Sequence, residues 1–477
     1  MAFTSFGFIA LALGFVLLTN ALPSPRGRAA VLLGASMVFL GSYVQSWYEV
    51  LPFAGFLLAG YACIELLRRS RARAGLVACV VMMVGAFVLL KQYSFLGAEA
   101  RLPFPYLTVG LSYVLFRLLH LMVDAQQGEL SERLPVLSFV NYSINFLSFT
   151  AGPVQLYPDF AASQAAPLSL TRAQVADAFA RVVWGFVKVA VLSAILNYAF
   201  AALSPRLLGS SGAVAGGGAV ALFALTAAVY TAYLYANFSG YMDIVIGLGA
   251  LAGVRLPENF DRPFRARSFL ELWTRWHITL SNWFKLYVFN PLLKALAKRY
   301  PSGAAAPYLA VLAFFVTFLI MGLWHGSTSV FAIYGLFLAL GASVNKWWQV
   351  FATARFGKKV YKAWAERPVV VYVSRGLTFA YFAVALTCLW VDLTQLLALL
   401  DRLGLAGALL AYAALALGAA VAFALADGAE RALAGLRARA QSAPVFMRDL
   451  GLALQVLLVL SISSFFHKAP EFVYRAF

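Results

Sequence analysis

Residues 305–326 read AAPYLAVLAFFVTFLIMGLWHG. The run is apolar almost to its end and then breaks at Trp324-His325-Gly326. A membrane-spanning helix needs about 20 predominantly apolar residues, so the stretch reads as a spanning helix that stops at a histidine. Working outward, similar runs begin with Phe3 to Leu22 and recur at roughly 29–44, 50–67, 75–91, 104–123, 136–157, 177–203, 217–236, 328–349, 369–391, 404–426 and 449–466. The first lacks a basic leader and is expected to be retained rather than cleaved. The expectation is an all-α polytopic integral membrane protein with about eleven to fourteen membrane segments. Residues 1–477 read as one membrane domain, with the motifs in a core at about 105–350 and a tail at 467–477.

Composition agrees. The chain is 62% hydrophobic and 12% charged, against about 25% charged in an ordinary soluble chain. A water-soluble core cannot absorb so much apolar sequence, because its surface must still be polar. The 40 Phe and 22 Tyr suit helix interfaces and interfacial belts. In a soluble chain a net charge of +18 would suggest nucleic acid. Here the basic residues sit in short loops between apolar runs, and no basic recognition helix is visible, so nucleic acid is excluded as a partner. Cys63, Cys79 and Cys388 form no CxxC pair and read as small buried hydrophobes.

Loop charge sets the orientation. Arg26 and Arg28 make one loop basic, the stretch Gln45 to Tyr48 carries no Lys or Arg, and Arg68, Arg69, Arg71 and Arg73 make the next basic. This alternation puts the N-terminus outside and the basic loops in the cytoplasm. Arg431, Arg437, Arg439 and Arg448 precede the last apolar run and place the tail from His467 to Phe477 outside as well.

One region breaks the pattern. Arg255 to Tyr300 mixes Phe260, Phe264, Phe269, Trp273, Trp276, Trp283, Phe284 and Tyr287 with many Arg and Lys. It is too polar to span and too aromatic for a free loop. Polar chain at membrane depth is tolerated only inside protein or along a cavity, so re-entrant and interfacial helices are expected here.

The chain has four histidines. His325 lies in otherwise membrane-embedded sequence, where an ionisable group is costly and marks function by default. Burial favours the neutral imidazole, which can serve as a general base. Gly322 and Gly326 permit close approach of a substrate or a neighbouring backbone. The bland alternative is a histidine bonding between helices. His277 stands in WTRWHITLS, where Arg275 and Trp276 could attract an anionic or thioester-bearing donor; the alternative is an aromatic–basic belt. His120 and Asp124, four apart on one helix face, are expected to pair, as are Arg117 and Asp124. His467 reads as exposed. Within NFSGYMD, residues 237–243, Asp243 needs a partner, and an arginine is favoured over a substrate contact. P-loop, GxGxxG, GxSxG and HExxH motifs are missing from the sequence. A transporter remains an alternative, because buried His, Asp and Arg also line transport paths.

Six strings in order then resemble one family. They are Gly110-Leu111-Ser112-Tyr113, Ala151-Gly152-Pro153-Val154, Asn237 to Asp243, Pro257 to Phe264, Trp273 to Ser281, and Gly322 to Gly326. Together they resemble the membrane-bound O-acyltransferases, in the bacterial branch that acetylates alginate or D-alanylates teichoic acid. The resemblance implies a funnel with a thinned centre, a cytoplasmic thioester donor on one side and an acceptor on the other. It implies His325 as the catalytic base and His277 as its companion. Arg275, Trp276, Trp324, Asn237 and Asp243 are the expected donor and substrate contacts. The last residues, FVYRAF, look like the FxYxxF ending of polysaccharide-acetylating members. By that likeness Tyr474 accepts the acyl group, and Phe472 and Phe477 anchor the tail; an interfacial anchor is the alternative.

Two departures matter. Asn237 stands where alginate-type members usually have Asp, and residues 284–291 lack the usual Arg-Asp. Acetyl and D-alanyl donors both stay open, with length and the fused tail favouring acetyl. The resemblance implies no bound cofactor, acetyl-CoA or an acyl-carrier thioester as donor, a secreted or periplasmic SGNH-type partner, a polysaccharide acceptor and the bacterial cytoplasmic membrane. The polymer and the oligomeric state are not legible.

Overall fold

The computed structural model describes residues 5–97, 99, 102–130, 132–209, 216–301, 303, 306–435 and 445–465, with the side chains of 445–448 and 462–465 left aside. Among these the secondary structure is helical, apart from an isolated antiparallel bridge between Phe260 and Trp276. Eight helices are long and apolar enough to cross a membrane: Trp47–Ser70, Arg73–Lys91, Arg172–Leu208, Gly217–Leu251, Ala306–Trp324, Val330–Phe356, Pro368–Leu389 and Leu393–Ala432. Phe6–Ala21 and Asp449–Ser461 are shorter apolar helices. Pro25–Gly41 and Leu111–Gln127, of 17 residues each, take up two more of the expected segments. The chain is a multi-pass membrane protein.

The expected segment at 136–157 is corrected. Helix Val136–Ile144 ends at Asn145, and the chain stays non-helical until Tyr157. Arg117 explains why this irregular stretch survives burial. The residue is 2% exposed, and its guanidinium donates to the carbonyls of Tyr142 (2.9 Å), Ser143 (2.7 Å) and Ser148 (2.8 Å). A helix end leaves carbonyls without intrahelical partners, and irregular backbone at depth needs protein partners; one arginine supplies several. The expected Arg117–Asp124 pair is therefore corrected too. Asp124 pairs instead with His120 Nδ1 at 3.0 Å, while His120 Nε2 accepts from the Tyr157 amide at 3.1 Å. Both ring nitrogens of His120 thus serve structure.

The chain forms two compact units. One comprises Met1–Ala190 and Asn237–Glu258, the other Val191–Ala236 and Asn259–Phe465. In the first, Phe146 gathers Phe8, Phe15 and Phe39 at ring separations of 6.4, 5.0 and 6.1 Å. In the same unit, small residues let two helices meet backbone to backbone. A Cβ on Gly185 would lie 2.7 Å from the Gly240 carbonyl, and one on Gly247 would lie 2.9 Å from the Ala178 carbonyl. Such small-residue crossings replace the hydrophobic drive that lipid removes.

The second unit contains two helical hairpins. Ala306–Trp324 packs on Val330–Phe356, where a Cβ on Gly322 would sit 2.2 Å from the Gly335 Cα. Pro368–Ala385 packs on Leu393–Ala432, where a Cβ on Gly376 would sit 2.2 Å from the Ala416 carbonyl. The polar–aromatic stretch folds as short helices, Phe269–Trp273, Ile278–Phe284 and Asn290–Arg299, with a π turn at Lys285–Phe289.

Candidate active site

His277 precedes helix Ile278–Phe284 in the left-handed region, φ 47 and ψ 50. A non-glycine residue there costs on the order of 1–3 kcal/mol and persists only where its surroundings over-determine it. They do so here. The segment around Asn259 crosses this turn: Ile278 N donates to Asn259 O at 3.0 Å, and Asp261 N donates to Arg275 O at 2.9 Å. Asn259 Oδ1 accepts from Thr279 N at 3.0 Å and from Thr279 Oγ1 at 2.9 Å. The first amides of a helix lack intrahelical acceptors, so Asn259 caps the helix from outside it. Both Asn259 and His277 are fully buried.

His325 follows the last residue of helix Ala306–Trp324, and its amide donates to Gly322 O at 3.1 Å. The imidazole Nδ1 lies 2.6 Å from Met321 O. A peptide carbonyl only accepts, so Nδ1 carries the proton and Nε2 presents the lone pair. Trp324 and Tyr334 hold the ring edge to face, at 5.0 and 5.3 Å. The flanking glycines have distinct tasks. Gly322 meets the Gly335 backbone, and a Cβ on Gly326 would fall 2.1 Å from the Phe331 ring. Neighbouring protein, rather than open space, occupies the room that the glycines leave.

Burial pushes the His325 imidazole down to about 4, partly offset by the Met321 carbonyl. His277 is held well below the usual imidazole range, first by burial and second by the charge His325 would carry. The two histidines of this unit are therefore electrostatically coupled, and a proton on one disfavours a proton on the other. Neutral imidazoles are the resting state at neutral pH.

The other expected contacts fall in different settings. Arg275 is engaged by Glu271 and Asp261, each at 3.1 Å, so two carboxylates offset its charge. Trp276 is 1% exposed and packs on Phe260 and Phe382 at 5.1 and 4.9 Å. Trp324 is buried beside His325. Asn237 and Asp243 belong to the other unit. There Asp243 accepts from Arg181 at 3.0 Å and from Lys188 at 2.6 Å, while Arg181 also reaches Glu258 at 2.5 Å. Tyr474 and His467 lie outside the described residues. Among the described residues no group of three His, Cys, Asp or Glu is placed to hold a metal.

Sequence reasoning passed over Asn259, Tyr334, Arg181 and Lys188. The last two carried a signal, since both are cations within the apolar run at 177–203. Tyr334 carried none, being one of many aromatics on a long apolar helix.

A family model described as MBOAT, membrane-bound O-acyltransferase family, matches residues 76–389. That span holds His277, His325, Asn259 and the Asp243 cluster. The chain is 27% identical over 299 residues to the teichoic acid D-alanyltransferase of Bacillus subtilis, covering 60% of this chain and 70% of that protein. It is 29% identical over 371 residues to a probable alginate O-acetylase of Pseudomonas aeruginosa, covering 72% of this chain and 66% of that protein. It is 30% identical over 233 residues to a probable alginate O-acetylase of Azotobacter vinelandii, covering 48% of this chain and 42% of that protein.

Proposed function

Because the chain belongs to the membrane-bound O-acyltransferase family, we propose that it takes an acetyl group from a cytoplasmic thioester, acetyl-CoA or an acyl-carrier thioester, for O-acetylation of a cell-envelope or secreted polysaccharide. The observation that carries this reading is the tautomer of His325, whose Nδ1 is committed to Met321 O and whose Nε2 is the basic nitrogen. Nε2 takes the proton of the acceptor hydroxyl as its oxygen attacks the thioester carbonyl. The C–S bond then breaks, and the departing thiolate recovers the proton from the imidazolium. Ester and free thiol are the products, and the base is restored. Burial keeps the pair neutral between turnovers, and Trp324 and Tyr334 fix the ring plane.

The first acceptor on this reading is the phenol of Tyr474. Its ester is handed outside to a secreted or periplasmic SGNH-type transferase, which acylates the polymer. Asn237 and the likeness to the Bacillus subtilis teichoic acid D-alanyltransferase favour a second reading, D-alanyl transfer to a teichoic-acid-like polymer.

Proteoliposomes supplied in parallel with radiolabelled acetyl-CoA and with a D-alanyl-charged carrier protein separate the two. Label that enters the protein from the first donor and is lost in His325→Ala supports acetyl transfer. Label from the second donor alone overturns it in favour of D-alanyl transfer. Solute flux without any donor, with no label in the protein, points to an exporter.

A further inference from the structure

Helix Val330–Phe356 has 27 residues, a length of about 40 Å at 1.5 Å per residue. A hydrocarbon core is about 30 Å thick, so one end of this helix reaches a headgroup region. After Phe356, Gly357 turns the chain at φ 80 into the short helix Lys358–Ala365. Between these elements lies a cavity of about 530 Å³, lined by Trp348, Phe356, Val360, Tyr361, Trp364 and Arg367 among others. Cavities of roughly 300–1,000 Å³ hold ligands of small-molecule size. Apart from Arg367, the side chains named are apolar or aromatic.

The charge around it is one-sided. Residues 346–367 contain Lys346, Arg355, Lys358, Lys359, Lys362 and Arg367 against the single carboxylate of Glu366. Lys362 reaches that carboxylate only at 3.9 Å. Trp348, Phe356 and Trp364 are 39%, 52% and 43% exposed. Aromatic rings beside clustered cations mark a membrane interface, and an excess of Lys and Arg marks its cytoplasmic side. That leaflet carries the anionic lipids.

We propose that this cavity is a binding site for an anionic phospholipid of the cytoplasmic leaflet. An acyl chain lies against Trp348, Phe356 and Trp364, and the headgroup phosphate is held by Arg367 with the lysines of Lys358–Ala365 around it. A zwitterionic lipid fills the same apolar space but brings no net charge to meet six cations. Inorganic phosphate meets the cations but has no chain for the rings. Selectivity thus requires both halves of the site.

Native mass spectrometry of the full chain in detergent tests this, with palmitoyl-oleoyl phosphatidylglycerol and the matching phosphatidylcholine as probes. The wild type retains phosphatidylglycerol preferentially. Arg367→Gln weakens it roughly fivefold, and Lys358→Gln with Lys359→Gln and Lys362→Gln weakens it by about tenfold or more, while phosphatidylcholine binding stays unchanged. Trp364→Ala weakens both lipids. Equal retention of the two lipids by the wild type, or an unchanged preference in Arg367→Gln, overturns the proposal. So does displacement of the lipid by inorganic phosphate alone, or by an acidic carrier protein that docks on the same lysines.

Discussion

His325 Nδ1 and the carbonyl oxygen of Met321 lie 2.6 Å apart, and that one bond decides which imidazole nitrogen can act as a base. The carbonyl belongs to the last turn of helix Ala306–Trp324. A helix C-terminus carries partial negative charge and favours a nearby cation. The contact therefore aims Nε2 in the resting state and steadies the imidazolium when it forms. The contact partly offsets the lowering by burial.

Replacing the base removes the chemistry and spares the fold. His325→Gln keeps a side-chain amide that can donate to Met321 O but has no basic nitrogen. Acyl transfer measured with radiolabelled donor should fall by about 10²–10⁴-fold, the usual worth of general-base catalysis. Gel-filtration behaviour in detergent should be unchanged. Activity within tenfold of wild type would remove His325 from the mechanism.

The pH profile follows from the sign of the shift. A general base works unprotonated. Burial lowers His325 to about 4, below the ~6.5 of a free imidazole, so protonation sets in at lower pH than usual. Transfer rates should stay flat from about pH 7.5 down to about 5.5 and decline only below that. The same shift acts on stability: below about 6.5 the unfolded chain binds a proton that the folded chain refuses, so stability falls as pH falls. A rate inflection near 6.5 would contradict this assignment.

Asn259→Ala strips the external cap from helix Ile278–Phe284. Thr279 then loses both its amide and hydroxyl acceptor, and leaving a buried donor unsatisfied costs about 1–3 kcal/mol. The left-handed turn at His277 loses its brace, so kcat should drop together with Tm. Thr279→Val removes only the hydroxyl bond and should give the smaller effect on both. Equal effects would mean that Asn259 acts by some route other than this cap.

Gly322→Ala forces a methyl to within 2.2 Å of the Gly335 Cα. Overpacking of this kind costs about 1–3 kcal/mol, and here the obstacle is backbone, which yields least. Gly418→Ala is the control, since a Cβ there meets nothing within 4 Å and alanine is the better helix former by roughly 0.5–1 kcal/mol. Thermal unfolding in detergent should move down for the first and slightly up for the second.

The Tyr474 ester is checked by mass spectrometry of the C-terminal peptide after donor is added. Acylated tyrosine should accumulate when the outer partner is withheld. Tyr474→Phe should leave donor binding intact and yield no acylated peptide. Acyl transfer to polymer at the wild-type rate in that variant would dismiss the carrier role.

Much of the helical architecture was legible because bilayer thickness sets a length that apolar runs either meet or miss. Where legibility failed, the deciding partner was remote. Nothing in the composition of 136–157 shows that Arg117 will take the carbonyls of Tyr142, Ser143 and Ser148, so an apolar run that looked long enough is a short helix and an irregular segment. His325 stood out as a lone titratable group, but Tyr334 and Gly335, which fix its ring and its helix, did not. Arg275 reads in sequence as able to attract an anionic donor, yet Glu271 lies one turn away and Asp261 within the same stretch, and both engage it.

The contact between Gly322 and Gly335 has a practical consequence. Two main chains that touch directly have no rotamers through which to absorb an error. A displacement at that crossing reaches the imidazole one turn later undamped, and no repacking of nearby side chains can take it up. Anyone seeking to broaden the range of acyl groups or acceptors should therefore leave this pair alone. The same holds for Trp324 and Tyr334, whose rings hold the imidazole edge to face.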